Sequence, residues 1–131
     1  MEWNTLIGAT HAETIIVEEE DLAMAIGSGD LPVLGTPRMA ALMEQAAAAL
    51  VGESLDEGIT TVGIALSISH TAPTLEGARV TAQATLKAAD GRRFEFDVKA
   101  YDEVGVIGEG THVRVSVKAE RFLEKAAARG E

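Results

Sequence analysis

Residues 34–51 read LGTPRMAALMEQAAAALV, and the fold turns on how this stretch is read. It is one helix, apolar on almost every side. Ala40, Ala41, Leu42, Ala46, Ala47, Ala48, Ala49 and Leu50 leave little polar surface for water, and such a helix belongs inside a protein. Thr36 suits the N-cap and Pro37 the first helical position. Gly52 suits the residue just past the end. Near the middle stands Glu44, an acid where the pattern expects another Met or Leu. A buried carboxylate is costly unless something pairs with it, so the helix predicts a polar partner elsewhere in the chain.

Working outward, the 131 residues suffice for one domain, 1–131, with a real core. Apolar residues make up 47% and charged residues 24%, as in ordinary globular proteins. The net charge of −10 argues against a nucleic-acid partner, which needs clustered Lys and Arg. Only Arg38 is basic before Arg79, so an anionic ligand has to be met mainly by the C-terminal half. The chain has no cysteine, which removes disulfides, thiol nucleophiles and zinc–thiolate sites and is compatible with a reducing cytoplasm. The start, MEWNTLIGATHAETIIVEEE, lacks the basic region and apolar run of a secretory signal. No apolar stretch reaches the ~18 residues of a membrane helix. The expectation is a cytoplasmic protein without a membrane partner.

Trp3 reads as a packing anchor for a loosely patterned terminus. Glu13–Val17 is a short β-type segment. The run Glu18–Asp21 is a solvated edge or the first turn of a short helix, Asp21–Ile26. After the central helix the period changes to two. In Thr60–Ala72, Val62, Ile64, Leu66, Ile68 and His70 fall on one parity, as expected for a half-buried strand. Val80–Leu86 alternates likewise. Asp90-Gly91 is a hairpin signal before Arg93–Tyr101, where Phe94, Phe96, Val98 and Ala100 share a face. Val106–Val117 is the last strand, with Val113, Val115 and Val117 on its apolar side and Gly108 and Gly110 at a bulge or bend. On that parity His112 faces water or a neighbouring subunit. Glu120–Ala128 is a short terminal helix. An antiparallel sheet with one covered face suits these strands, and the long helix is the one element apolar enough to cover it.

His70 shares the parity of Leu66 and Ile68. If that face packs on the central helix, His70 points into the layer that holds Glu44. A carboxylate and an imidazole in one dry space can share a proton, the basis of general acid–base work. Thr36 stands at the helix start, where free N–H groups can stabilise a polarised carbonyl oxygen. Thr36 and Glu44 lie about 12 Å apart along a regular helix. They serve one site only through an extended substrate, an irregular helix start or a second chain. Taken singly, Thr36 reads equally as a plain cap, Glu44 as a buried acid tied to backbone, and His70 as a core histidine. Three scattered histidines without a close-spaced pair make no zinc site.

With TPRMAALMEQAA, SISHTAPT, ADGRRFEFDVKAYD and IGEGTHVRVSV in order, the sequence resembles the hotdog-fold thioesterases, and within them the fluoroacetyl-CoA thioesterase-like family. The resemblance runs from about Leu31 to Phe122. It implies an α+β hotdog fold, an antiparallel sheet wrapped around a long central helix, assembled as a homodimer with tetramers left open. It implies hydrolysis of an acyl-CoA thioester to free acid and coenzyme A, with Thr36, Glu44 and His70 as the catalytic triad. No cofactor is implied beyond the coenzyme A of the substrate. Gly63, Arg92, Arg93 and Arg114 are the candidate substrate contacts. Glu44 would be base or nucleophile, and His70 would orient it and protonate the departing thiolate. No Phe, Tyr or Trp lies between Trp3 and Phe94, so the region closing over the acyl group is built of small and aliphatic residues. A small or medium acyl group is expected. The rival readings are a non-catalytic acyl-CoA binder, a structural protein in which Glu44 and His70 satisfy each other, and a hotdog hydratase.

Overall fold

The computed structural model describes residues 2–130. A 3-10 turn, Trp3–Leu6, leads into β1, Thr10–Ile16. A second 3-10 turn, Glu19–Asp21, and a one-turn helix α1, Ala23–Ile26, precede the long helix α2, Thr36–Gly52. Then come β2 (Ile59–His70), β3 (Arg79–Asp90), β4 (Arg93–Tyr101), β5 (Val106–Lys118) and the terminal helix α3 (Ala119–Ala128). The five strands form one antiparallel sheet in the order β1-β3-β4-β5-β2. Among the described residues, β1 and β2 are its open edges.

Helix α2 lies across one face of this sheet. Met39, Leu42, Met43, Ala46, Ala47 and Val51, at steps of three and four residues, are its buried stripe. Val80, Ala82, Ala84 and Leu86 of β3 and Phe94, Phe96, Val98 and Ala100 of β4, at steps of two, complete the core. Burying each large side chain contributes about 1.5–3 kcal/mol. The helix is not enclosed all round, because a sheet covers only one stripe of it. Ala41 and Gln45 are exposed, and Glu44 and Ala48 half-buried. Its ends also differ from the expectation: Gly35 is the N-cap and Thr36 already helical, while Gly52 is the last helical residue and Glu53 continues with helical angles.

The strand spans match the alternation read from the sequence, but two faces do not. In β2 the pairing with β5 slips between Gly63, opposite Arg114, and Ala65, opposite Val113. This bulge adds a residue and changes which parity looks inward. Before it, Thr61 and Gly63 face the helix; after it, Leu66, Ile68 and His70 do. Val62 and Ile64 therefore do not share a face with His70, and Ile64 is 52% exposed. In β5 the pairing sets Phe94 opposite Arg114 and Phe96 opposite His112. His112 and Arg114 are thus the inward residues, and the valines at 113, 115 and 117 lie on the outer face. Valine favours a strand on either face, so apolarity misled the reading here.

Gly108 and Gly110 are explained by close approach. A Cβ on Gly108 would stand 2.6 Å from the Ser69 carbonyl oxygen and 2.8 Å from Met39 Sδ, and one on Gly110 would strike the Ser67 carbonyl. Trp3 is the anchor expected, edge-on to Phe94 with ring centroids 4.7 Å apart. Asp21 departs from the solvated-edge reading. It is buried, accepts from Arg38 Nε at 2.9 Å and from the Glu18 backbone N–H at 2.8 Å, and ties the start of α2 to the preceding turn. No helix among the described residues is long and apolar enough to cross a membrane.

Candidate active site

The helix start and the end of β2 meet at Thr36 and His70. Because Gly35 is the cap, the Thr36 hydroxyl is free of capping and lies 2.7 Å from His70 Nδ1. A hydroxyl and an imidazole at this distance can pass a proton between them. Burial pulls the His70 pKa below its ordinary 6.5, with the nearby Ala72 backbone opposing. The ring is therefore neutral at neutral pH. Its Nε2 is buried and meets no partner among the described residues. Such an unsatisfied nitrogen is costly to keep unless a ligand completes it. The pair opens into a cleft of about 310 Å³, walled by Val33, Leu34, Ala72 and Pro73.

Two turns further along α2, Glu44 meets a different set of groups. Its carboxylate lies 3.8 Å from Arg114 Nη1. Arg114 is 8% exposed and spends the rest of its fork on β2, donating from Nε to Thr61 Oγ1 and from Nη2 to the Thr61 carbonyl, both at 2.9 Å. Its Nη1 also lies 3.1 Å from His112 Nε2. His112 Nδ1 stands 2.8 Å from the Ala65 carbonyl oxygen, which can only accept. So Nδ1 carries the proton, and Nε2 receives the Arg114 N–H. His112 is a neutral, buried acceptor that orients the guanidinium. Burial holds its pKa below 6.5, reinforced by Arg114. Burial also lowers the Arg114 pKa, against the attraction of Glu44.

Gly63 lies beneath this group. A Cβ there would stand 2.9 Å from His112 Cε1, 3.0 Å from Glu44 Oε2 and 3.4 Å from Arg114 Nη1. The missing side chain keeps a small polar hollow open between an acid and a guanidinium.

Within one chain the structure therefore separates what the sequence reading joined. Glu44 pairs with Arg114, and His70 with Thr36. The reason is the regular helix start, which leaves Thr36 and Glu44 about 12 Å apart. Gly63 and Arg114 fall at the Glu44 end. Arg92 lies in the hairpin turn near the start of α3, and Arg93 is exposed on the outer face opposite Val115. His112 and Thr61 were missed. The available signal was that His112 and Arg114 share the parity of Gly108 and Gly110.

A family model described as fluoroacetyl-CoA-specific thioesterase matches residues 17–120. The chain belongs to this thioesterase family. The fluoroacetyl-CoA thioesterase of Streptantibioticus cattleyicolor is 39% identical over 93 residues, 71% of this chain and 67% of that protein. A solved fluoroacetyl-CoA thioesterase structure superposes with a TM-score of 0.89 at 30% identity, covering 93% of this chain and 95% of that one. A thioesterase superfamily member from Thermus thermophilus gives 0.85 at 27% identity, over 94% and 93% of the two chains. A hot-dog-like protein from Thermanaerovibrio acidaminovorans gives 0.87 at 24% identity, which speaks for the fold. The fold is the α+β hotdog, and the family's activity is thioester hydrolysis.

Proposed function

We propose that this thioesterase-family chain hydrolyses a small or medium acyl-CoA thioester to the free acid and coenzyme A, with Thr36, Glu44 and His70 as its reacting groups. The observation that carries this reading is the 2.7 Å contact between Thr36 and a neutral His70 whose second nitrogen lacks a partner. The helix N-terminus and the Thr36 hydroxyl receive the thioester oxygen as it becomes an oxyanion. Glu44 takes a proton from the water that adds to the carbonyl carbon, or adds to that carbon itself. The C–S bond then breaks, and the thiolate takes a proton from the His70 ring as the ring receives at its other nitrogen the proton drawn from water, so the imidazole ends neutral; where Glu44 itself adds, water then hydrolyses the mixed anhydride, which releases the acid and frees Glu44. Arg114, held by His112 and Thr61, faces the Glu44 carboxylate across the hollow over Gly63.

The two halves come together across a homodimer. What supports this is the open edge of β2, twelve residues long and among the described residues unpaired. Such an edge is a template for pairing with a second copy. An antiparallel pairing of two β2 strands about a two-fold axis between Leu66 and Ser67 would set Gly63 of one copy opposite His70 of the other. Glu44 and Arg114 of one copy then complete the Thr36–His70 pair of its mate. The cysteine-free chain fits a cytoplasmic location.

A thiol-release assay across short, branched and aromatic CoA esters tests the reading. Glu44→Gln and His70→Ala should each lose at least about 100-fold in turnover, the lower end for acid–base help. Binding of CoA esters without thiol release would instead favour the acyl-CoA binder. Unchanged turnover in folded variants would remove both residues from the chemistry.

A further inference from the structure

The outer face of the sheet looks away from α2 and from the candidate site. The pairings set Val62 beside Val115, Ala65 beside Val113 and Thr60 beside Val117 on this face. Ile64, in the bulge, joins them at 52% exposure. Strand propensity alone does not explain these residues, because Thr suits a strand as well as Val does. The same face carries Thr81, Thr85 and Thr111 on its neighbouring rows. Val62, Ile64, Val113, Val115 and Val117 thus form an apolar ridge along β2 and β5. Among the described residues no helix packs over it, and α3 borders it only where β5 ends. Charge is the second departure. The chain carries −10, yet the signs on this face cancel. Arg93 and Lys99 alternate with Glu95 and Asp97 on β4, Glu109 is paired beside Lys99, and Lys87 lies 4.0 Å from Asp97. Arg79 and Asp90, at the two ends of β3, share the face and offset each other. The whole excess of acid therefore lies elsewhere on the molecule.

We infer that this face seats a second copy of the chain and joins two of the proposed homodimers back to back into a tetramer. The count of four rests on the β2 pairing above; the face as an interface does not. A two-fold contact brings a surface against its own image, so a face with net charge would repel itself. Two acidic chains meet with least repulsion on the face whose charges cancel. Area selects dimers as the units. Five strands ~4.8 Å apart, with about seven facing residues each at ~3.3 Å, cover roughly 550 Å². One chain on one chain would bury about 1,100 Å² in all, short of the standard interface, whereas dimer on dimer buries about 2,200 Å². Position agrees with this. Pairing at β2 brings the β2 and β5 ridges of both copies to the middle of the joined sheet and leaves the charged rows of β3 and β4 outside. An apolar centre with a charged rim is the anatomy of a protein interface, and two sheets pack face to face through such side chains. The Thr36–His70 cleft lies on the side of α2, so the assembly leaves it open.

Sedimentation equilibrium of the whole protein tests this by mass. Val113→Lys combined with Val115→Lys places cations on the ridge without touching the core. Val113→Thr combined with Val115→Thr keeps the shape and strand preference of the ridge, so it decides the matter should the lysine variant fail to fold by circular dichroism. Wild type should weigh four chains and the lysine variant two. The threonine variant should weaken the association of dimers by at least about tenfold, because its hydroxyls would be buried without partners. Four chains in the folded lysine variant, or tetramers unweakened by the threonines, would overturn the inference. So would a wild type of one or two chains that neither variant changes, which would leave the ridge to a different protein. A two-chain wild type that the lysines split into single chains would uphold the face as an interface and refute the β2 pairing instead.

Discussion

Replacing Arg114 by Met asks what holds the polar group under α2. The change deletes two 2.9 Å hydrogen bonds to Thr61 and one of 3.1 Å to His112, and leaves buried acceptors behind. An unsatisfied buried acceptor costs roughly 1–3 kcal/mol. With Met keeping most of the packing volume, the sum for the three is about 3–9 kcal/mol. The ion pair with Glu44 adds little to this. It is 3.8 Å long, and the Glu44 side chain is 42% exposed, so solvent screens it. Glu44→Gln should therefore cost under about 1 kcal/mol. Urea unfolding of the two variants separates the terms directly. In thermal melts, at roughly 4 °C per kcal/mol for a chain of this size, Arg114→Met should lower Tm by at least about 12 °C and Glu44→Gln by a few degrees at most. Equal losses in both variants would mean that the charge pair, not the network with Thr61 and His112, holds Arg114 in place. A loss below about 1 kcal/mol for Arg114→Met would refute the network outright.

Gly63→Ala should destabilise the fold by about 1–3 kcal/mol and lower turnover, because the new Cβ meets His112, which is buried and cannot retreat; wild-type activity in the variant would show the hollow to be unused. Gly108→Ala should be worse than Gly63→Ala in a urea titration, since its Cβ would stand 2.6 Å from the Ser69 backbone oxygen, closer than the 2.9 Å approach to the His112 side chain at Gly63. Acid should destabilise the protein through its buried histidines. His70 and His112 both have folded-state pKa values below 6.5, so between those values and 6.5 the unfolded chain binds more protons. Stability from these groups is complete above 6.5 and lost as pH falls through the depressed values. A melting series downward from pH 7 should show that loss, and His112→Gln should reduce it; a flat profile would contradict neutral histidines in the fold.

Much of this architecture is legible in the sequence because period survives as burial. Met39, Leu42, Met43 and Ala46 repeat at helical steps, and Phe94, Phe96, Val98 and Ala100 at strand steps, and each set is buried as a set. Thr36, Glu44 and His70 could be chosen by residue type alone, as polar groups on apolar elements. Their grouping could not. A one-residue bulge at Ile64 leaves no mark in an alternation of Val, Ile and Leu, yet it changes which side of β2 faces the helix. In β5, valines occupy the outer face while a histidine and an arginine occupy the inner one, the reverse of what hydropathy favours. That inversion is affordable only because His112, Arg114, Thr61 and Ala65 satisfy one another, a relation that appears only once β2 and β5 are paired.

The account depends on one active site being completed by two copies of the chain, and subunit mixing tests this most directly. His70→Ala and Glu44→Gln, each inactive alone, are mixed in equal amounts, exchanged, and assayed for thiol release. If each site takes His70 from one copy and Glu44 from the other, half the dimers are hybrids and each hybrid holds one intact site, so about a quarter of wild-type activity should return. Exchange confirmed by mass with activity no higher than in either variant alone would contradict a site shared between subunits.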